Sequence, residues 1–92
     1  MSAALAGGEA APAPLAEGER TVAVSRALAL VGCSFLPATW EKRFARSLAG
    51  VAERTPGRIT ARQAATLAWL AHRYRRQMPA HLVPPTKPAR PW

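Results

Sequence analysis

The chain contains no aspartate and no asparagine, and its acidic residues are five glutamates: Glu9, Glu17, Glu19, Glu41 and Glu53. Paired catalytic carboxylates, and the oxygen ligands of a Ca²⁺ or Mg²⁺ site, therefore have few side chains from which to form. We accordingly expect a protein that acts by binding. It should not be an enzyme, and it should need no cofactor and no small-molecule substrate.

Cys33 is the only cysteine, so no internal disulfide can form and the cytoplasm is the expected location. The main apolar stretch lies between Arg26 and Pro37, well short of the roughly 18 residues that would span a bilayer. Residues 1–18 have no basic side chain, unlike a secretory or mitochondrial leader. Residues 30–34 resemble a lipoprotein motif, but the apolar run before them is shorter than the roughly 7 to 15 residues that a signal peptide needs. We expect no membrane association.

Few residues could bind a transition metal or act as a nucleophile. Cys33, His72 and His81 are too few and too scattered for zinc, which takes four ligands at regular spacing. A Cys33–His72 catalytic pair would lack an Asp or Asn to orient the imidazole. Cys33 is better explained as a small buried apolar residue.

What the chain has in excess is positive charge. Thirteen Lys and Arg residues against five acids give a net charge of +8 on 92 residues, enough for one small domain. Residues 1–39 carry a net charge of −1 and residues 40–92 a net charge of +9. Such a balance favours nucleic acid or an acidic protein surface as the partner. A GC-rich genome would also produce an excess of Arg and Ala. The positions of the charges, and not their number, must therefore decide whether they form a binding surface.

The composition divides the chain into three parts. Residues 1–19 hold mostly Ala, Gly, Pro and Glu, which predicts a disordered tail because too little apolar surface can be buried. Residues 79–92 contain five prolines, which exclude helix and predict a stiff, extended, basic tail that can be removed without loss of the fold. The folded domain is expected over residues 20–78.

Apolar spacing predicts an all-α domain of two or three packed helices. One helix begins with a capping box at Thr60 and Gln63 and continues to Pro79 along the stripe Ala64, Leu67, Ala71, Tyr74 and Met78. A second, with Thr39 as N-cap, has the stripe Trp40, Phe44, Leu48 and Val51, and we expect the two stripes to face each other. Residues 21–33 fit either a helix or a strand. We favour a helix, because a single strand would have no partner.

Trp69 is the most informative residue of this domain. On a helix continuing to Pro79, Trp69 shares one side with Arg62, Arg73 and Arg76, an arrangement that suits base stacking combined with phosphate contacts. The alternative is that Trp69 is buried under the first helix and that the last arginines only complement the helix dipole. The candidate residues for binding nucleic acid or an acidic partner are Arg46, Arg58, Arg62, Trp69, Arg73 and Arg76.

The two helices are joined by about ten residues from Gly50 to Ile59, longer than the three- or four-residue turn of a helix-turn-helix DNA-binding motif.

The alternative function is a protein-interaction module, an adaptor or an inhibitor of a host enzyme such as a defence nuclease, that docks on an acidic surface. The sequence does not set the oligomeric state.

Three short segments carry a resemblance to known proteins: Phe35-Leu36-Pro37-Ala38-Thr39-Trp40-Glu41-Lys42-Arg43-Phe44, Ile59-Thr60-Ala61-Arg62-Gln63 and Arg73-Tyr74-Arg75-Arg76-Gln77. Over about residues 35–77 the chain resembles small uncharacterised helical proteins of bacterial phages and integrated mobile elements, and modules appended to phage replication proteins. The resemblance implies a mobile-element context and assigns no activity to any residue.

Overall fold

The computed structural model describes residues 15–37 and 39–92, which form three α-helices and three short 3-10 turns. The helices are α1 (Glu17–Leu30), α2 (Glu41–Arg54) and α3 (Ala61–Arg73). The 3-10 turns are Pro56–Arg58, Arg75–Gln77 and Ala80–Leu82. No strand occurs in the described residues, so the all-α prediction is confirmed, and residues 21–30 are helical as favoured.

α1 begins earlier than the sequence indicated. The Glu19 carboxylate accepts a hydrogen bond of 3.1 Å from the Ala16 backbone N–H, and Glu17 adds a second acid in the first turn, where the helix dipole favours negative charge. Leu15 packs against the core. The predicted boundary at residue 19 is therefore wrong for residues 15–19, whereas the tail prediction for residues 1–14 lies outside the described residues.

α2 begins without the expected side-chain cap. Trp40 occupies the N-cap position, and the Thr39 hydroxyl donates instead to the Leu36 carbonyl at 2.9 Å. The Thr39 prediction is wrong because the preceding loop engages this hydroxyl. The helix also continues past Val51 to Arg54.

α3 has the predicted start and a different end. The Gln63 N–H donates to the Thr60 hydroxyl at 3.1 Å and the Thr60 N–H donates to the Gln63 side chain at 3.0 Å, which confirms the capping box. The helix ends at Arg73, six residues before Pro79, because the side chains that follow are engaged across the molecule. Tyr74 packs edge-to-face on Phe35, and Gln77 exchanges two hydrogen bonds with the Ser34 backbone.

The helices meet mainly through α1, which packs against both α2 and α3. The prediction that the stripes of α2 and α3 face each other directly is therefore wrong. Small residues on α1 let both neighbours approach closely. The core is formed by buried side chains of all three helices: Ala23, Ala27, Leu30, Ala45, Leu48, Ala52, Leu67, Leu70 and Ala71.

The proline-rich segment is part of the folded domain. Leu82 is 6% exposed and belongs to the core together with Met78. The Arg26 guanidinium donates to the Leu82 carbonyl at 2.9 Å and fixes the segment against α1. The prediction of a separate tail from residue 79 is wrong, because prolines exclude an α-helix but not the 3-10 turn that inserts Leu82.

Candidate functional site

One side of α2 carries a row of exposed cations, which we call the α2 basic face: Lys42, Arg43, Arg46 and Arg54. At 1.5 Å per residue, the row extends about 18 Å along the helix axis. Glu41 is buried, so Glu53 is the single exposed acid of this helix. The exposed surface of α2 is therefore predominantly cationic.

Two shallow clefts follow this face and share Arg46. The first, about 310 Å³, is lined by Thr39, Lys42, Arg43 and Arg46. The second, about 410 Å³, is lined by Arg46, Ser47, Gly50, Val51, Arg54 and Thr55. Neither lining includes an acidic residue, so an extended anion could follow the helix through both clefts.

A third cleft of about 320 Å³ lies beside α3, and we call it the Trp69 cleft. Its lining residues are Trp69, His72, Arg73, Arg75 and Lys87. Lys87 comes from the proline-rich segment, and the Arg75 guanidinium is held by a 3.0 Å hydrogen bond to the His72 carbonyl. The cleft combines an aromatic wall with cations and includes no acid, which is the composition that suits a phosphate next to a base.

Trp69 lies half-buried on the core, and other side chains cover its ring. The Trp92 ring meets it edge-to-face with centroids 5.0 Å apart, and the Arg73 guanidinium lies 5.4 Å from its centre. Neither sequence-based alternative described this arrangement. Trp69 is neither a free stacking platform nor a fully buried core residue.

Arg73 forms an ion pair with the buried Glu41. Its Nε lies 3.0 Å from Glu41 Oε2, and the Glu41 side chain is 4% exposed. Glu41 Oε1 also accepts a hydrogen bond from the Tyr74 hydroxyl, and the Thr39 hydroxyl oxygen lies 3.4 Å from the same carboxylate oxygen. Hydrogen bonding with Tyr74, and then the charge of Glu41, raises the pKa of Arg73. Glu41 thus compensates the Arg73 charge that the sequence interpretation assigned to a phosphate.

The structure distributes the remaining candidate residues over separate surfaces. Arg46 lies at the centre of the α2 basic face, whereas Arg58 is in the turn after α2 and Arg62 is in the first turn of α3. Arg76 lies in the 3-10 turn beyond α3, so its predicted position on one helical side with Trp69 is wrong. Arg58, Arg62 and Arg76 are exposed, and none of them lines the clefts described above.

The sequence reasoning missed the contribution of the proline-rich segment to the site. Lys87 lines the Trp69 cleft and Trp92 covers Trp69, but both were assigned to a separate tail. The available signal was Trp92 itself, because a large aromatic is seldom left in water. Arg54, at the far end of the α2 basic face, was also left out of the candidate set.

Two further polar groups are engaged in packing. The Cys33 thiol lies 3.8 Å from both the Ala29 carbonyl and the Met78 sulfur, and burial raises its pKa. Burial lowers the pKa of Arg26, which bonds to Leu82. A raised pKa keeps a thiol protonated and reduces its reactivity, so these contacts favour a packing role for Cys33.

Over residues 15–37 and 39–92, no three His, Cys, Asp or Glu side chains are grouped closely enough to hold a metal ion. Nor does this part of the chain contain a helix long and apolar enough to cross a membrane. No protein-family model, curated protein or solved structure matches the chain. The resemblance to proteins of phages and integrated elements therefore stays a prediction.

Proposed function

We propose that this protein binds the phosphate backbone of nucleic acids through the α2 basic face, as a non-enzymatic accessory factor of a mobile genetic element in the cytoplasm. The observation that supports this function is the 18 Å row of exposed cations along α2, at about 1.5 Å per helical residue. Phosphates of one strand of duplex DNA rise by about 3.4 Å per nucleotide along the axis, so a row of this length can contact several of them.

None of the four cations of this face forms an ion pair in the described part of the chain. Only Arg20 and Arg73, of the thirteen basic side chains, lie within ion-pair distance of a carboxylate in the described part of the chain. Clustered like charges repel one another, and a polyanion relieves that repulsion when it binds. Arginine also forms bidentate hydrogen bonds to phosphate, and three of the four residues on the α2 basic face are Arg.

The same surface favours binding that depends little on base sequence. Adenine is read in the major groove by Asn or Gln, and the chain has no Asn. Both of its glutamines, Gln63 and Gln77, are already engaged, in the capping box and with the Ser34 backbone. Contacts from the α2 basic face to phosphates would therefore position the protein without selecting a sequence.

The test is a titration of labelled oligonucleotides, single-stranded and duplex, at two salt concentrations. Affinity should fall steeply between about 50 and 200 mM salt, and each cation removed should reduce the log–log slope by about 0.9 for duplex DNA. We therefore compare a Lys42→Ala/Arg46→Ala variant with an Arg58→Ala/Arg76→Ala variant, which loses the same charge outside the α2 basic face. The Lys42→Ala/Arg46→Ala variant should show the larger reduction in both the log–log salt slope and the affinity. Equal reductions would show that net charge, and not this face, governs binding, and no binding at about 50 mM salt would exclude the proposed function.

The second candidate function is docking on an acidic protein, such as a host defence enzyme. It is favoured by exposed apolar side chains that phosphate binding does not use: Val22, Leu28, Val31 and Leu36 are between 37% and 52% exposed. Such side chains are typical of the apolar centre of a protein interface. A Leu28→Ser/Leu36→Ser variant that retains oligonucleotide binding but loses a specific complex from host lysate would support this candidate.

A further inference from the structure

Three tryptophan rings meet where the start of α2 comes close to α3. Trp92 lies between Trp40 and Trp69, with ring centroids at 5.1 and 5.0 Å and interplanar angles of 88° and 70°. Trp40 precedes α2 and Trp69 lies within α3, so these two rings belong to the helical frame. We call the space between them the tryptophan slot. Trp92 fills this slot from the proline-rich segment.

The contact that holds Trp92 in the slot is open to solvent. Trp92 is 51% exposed and Trp40 is 46% exposed. Among the described residues, no hydrogen bond joins residues 84–92 to the helices, and the Arg90 guanidinium stacks 5.7 Å from the Trp92 ring within the same segment. Edge-to-face contacts of this kind are individually weak. Trp92 can therefore leave the slot without disrupting the core, which ends at Leu82 in this segment.

We propose that the tryptophan slot receives an unpaired nucleobase, and that Trp92 is the internal occupant that the base displaces. This inference rests on the proposed function. A nucleobase is a flat aromatic heterocycle like the indole ring it would replace, and aromatic side chains bind bases of any sequence. Paired bases of a duplex present no free ring face, so the slot would select single-stranded segments.

The surroundings of the slot favour a nucleic acid over an aromatic side chain of a protein. On one side lies the Trp69 cleft, where Arg75 and Lys87 can contact the phosphate next to the bound base. On the other side, the α2 basic face begins at Lys42, two residues after Trp40. A strand whose base occupies the slot therefore has cations available in both directions along its backbone.

Competition between Trp92 and the base has a measurable consequence. While Trp92 occupies the slot, only the fraction of molecules with an open slot can bind a base, and the apparent affinity is reduced by that fraction. The two aromatic contacts of Trp92 correspond to a bias toward the closed slot on the order of tenfold. Removing the Trp92 ring should therefore tighten the binding of single strands and leave duplex binding unchanged.

The experiment uses the full chain and three probes of equal length: an oligothymidylate, the same strand with abasic sites, and a duplex. In Trp92→Ala, affinity for oligothymidylate should rise on the order of tenfold, while the abasic strand and the duplex should bind as they do to the unaltered protein. Trp92→Phe, which keeps an aromatic ring in the slot, should show a smaller gain. Adding Trp40→Ala to Trp92→Ala should remove the gain, and this substitution is suitable because Trp40 is half-exposed and lies outside the buried core.

The outcomes separate the two proposals. If Trp92→Ala binds all three probes as the unaltered protein does, with a steep salt dependence, the slot does not bind bases but the proposed function holds. An equal gain for the abasic strand would also overturn the slot proposal, because no base is then involved. If Trp92→Ala instead converts a dimer to a monomer, the slot receives Trp92 of a second copy. If no probe binds at about 50 mM salt, the proposed function fails, and the slot proposal with it.

Discussion

Arg73 and Glu41 join the end of α3 to the start of α2, with Arg73 Nε 3.0 Å from Glu41 Oε2. The two helices otherwise pack mainly on α1. The same pair lies beside the tryptophan slot, because Arg73 covers Trp69 and Glu41 follows Trp40 in the chain. This ion pair therefore joins the two helix ends beside the slot.

Glu41→Ala should destabilise the fold more than the loss of an ordinary surface ion pair. The substitution leaves the hydroxyl of Tyr74 and the guanidinium of Arg73 without their acceptor, and we expect a loss of about 2 to 3 kcal/mol in the free energy of unfolding. Urea denaturation measures this loss. The matched control is Glu17→Ala, whose side chain is 90% exposed and 3.8 Å from Arg20, and which should change stability by less than about 0.5 kcal/mol. Similar effects of the two substitutions would contradict the structural role of Glu41.

Truncation should divide the proline-rich segment into a structural part and a dispensable part. A chain that ends at residue 83 retains Leu82 and should melt close to the full chain, whereas a chain that ends at residue 80 should lose about 2 to 4 kcal/mol. Leu82→Ala in the full chain should reproduce most of that loss, since it opens a cavity in a small core. Thermal melting followed by circular dichroism tests this. Equal stability of the two truncated chains would show that Leu82 does not contribute to the core.

Cys33 should react slowly with alkylating reagents at neutral pH. Burial raises the pKa of its thiol, so the reactive thiolate is less populated in the folded protein than in the unfolded chain. The folded state binds the thiol proton more tightly than the unfolded chain does. This difference contributes to the free energy of unfolding at pH values below the pKa of the thiol in the unfolded chain, and the contribution is lost as pH rises through the raised pKa of the folded protein. Iodoacetamide modification with and without denaturant measures the difference. Equal modification rates with and without denaturant at neutral pH would mean that folding neither shields the thiol nor raises its pKa.

Sequence reasoning succeeded where the signal is local. The reciprocal bonding of Thr60 and Gln63 depends on residues three apart, and the start of α3 was predicted correctly. The predicted apolar stripe of α2 does not include Lys42, Arg43 or Arg46, and all three are exposed. Periodicity also indicated the helical class.

Prediction from the sequence failed where contacts join distant parts of the chain. Tyr74 fits the apolar stripe of α3, so the stripe predicted a helix that continues to Pro79. The contacts of Tyr74 with Phe35 and Glu41 accompany the end of the helix at Arg73. Glu41 lies in the first turn of α2, where the local expectation is only that an acid complements the helix dipole, and its pairing with Arg73 had no local signature. The docking of Trp92 was missed for the same reason, because a proline-rich run has no periodicity to indicate a buried side.

The alanines at the helix contacts distinguish alanine that is required for packing from alanine that codon bias alone would produce. Ala27, Ala45 and Ala71 are each fully buried, one on each helix. A larger side chain at these positions would push packed helices apart, at a cost of about 1 to 3 kcal/mol. Exposed alanines such as Ala65 and Ala80 have no such constraint. In related chains from genomes of lower GC content, the exposed alanines should be replaced freely, while these three sites should remain restricted to the smallest residues.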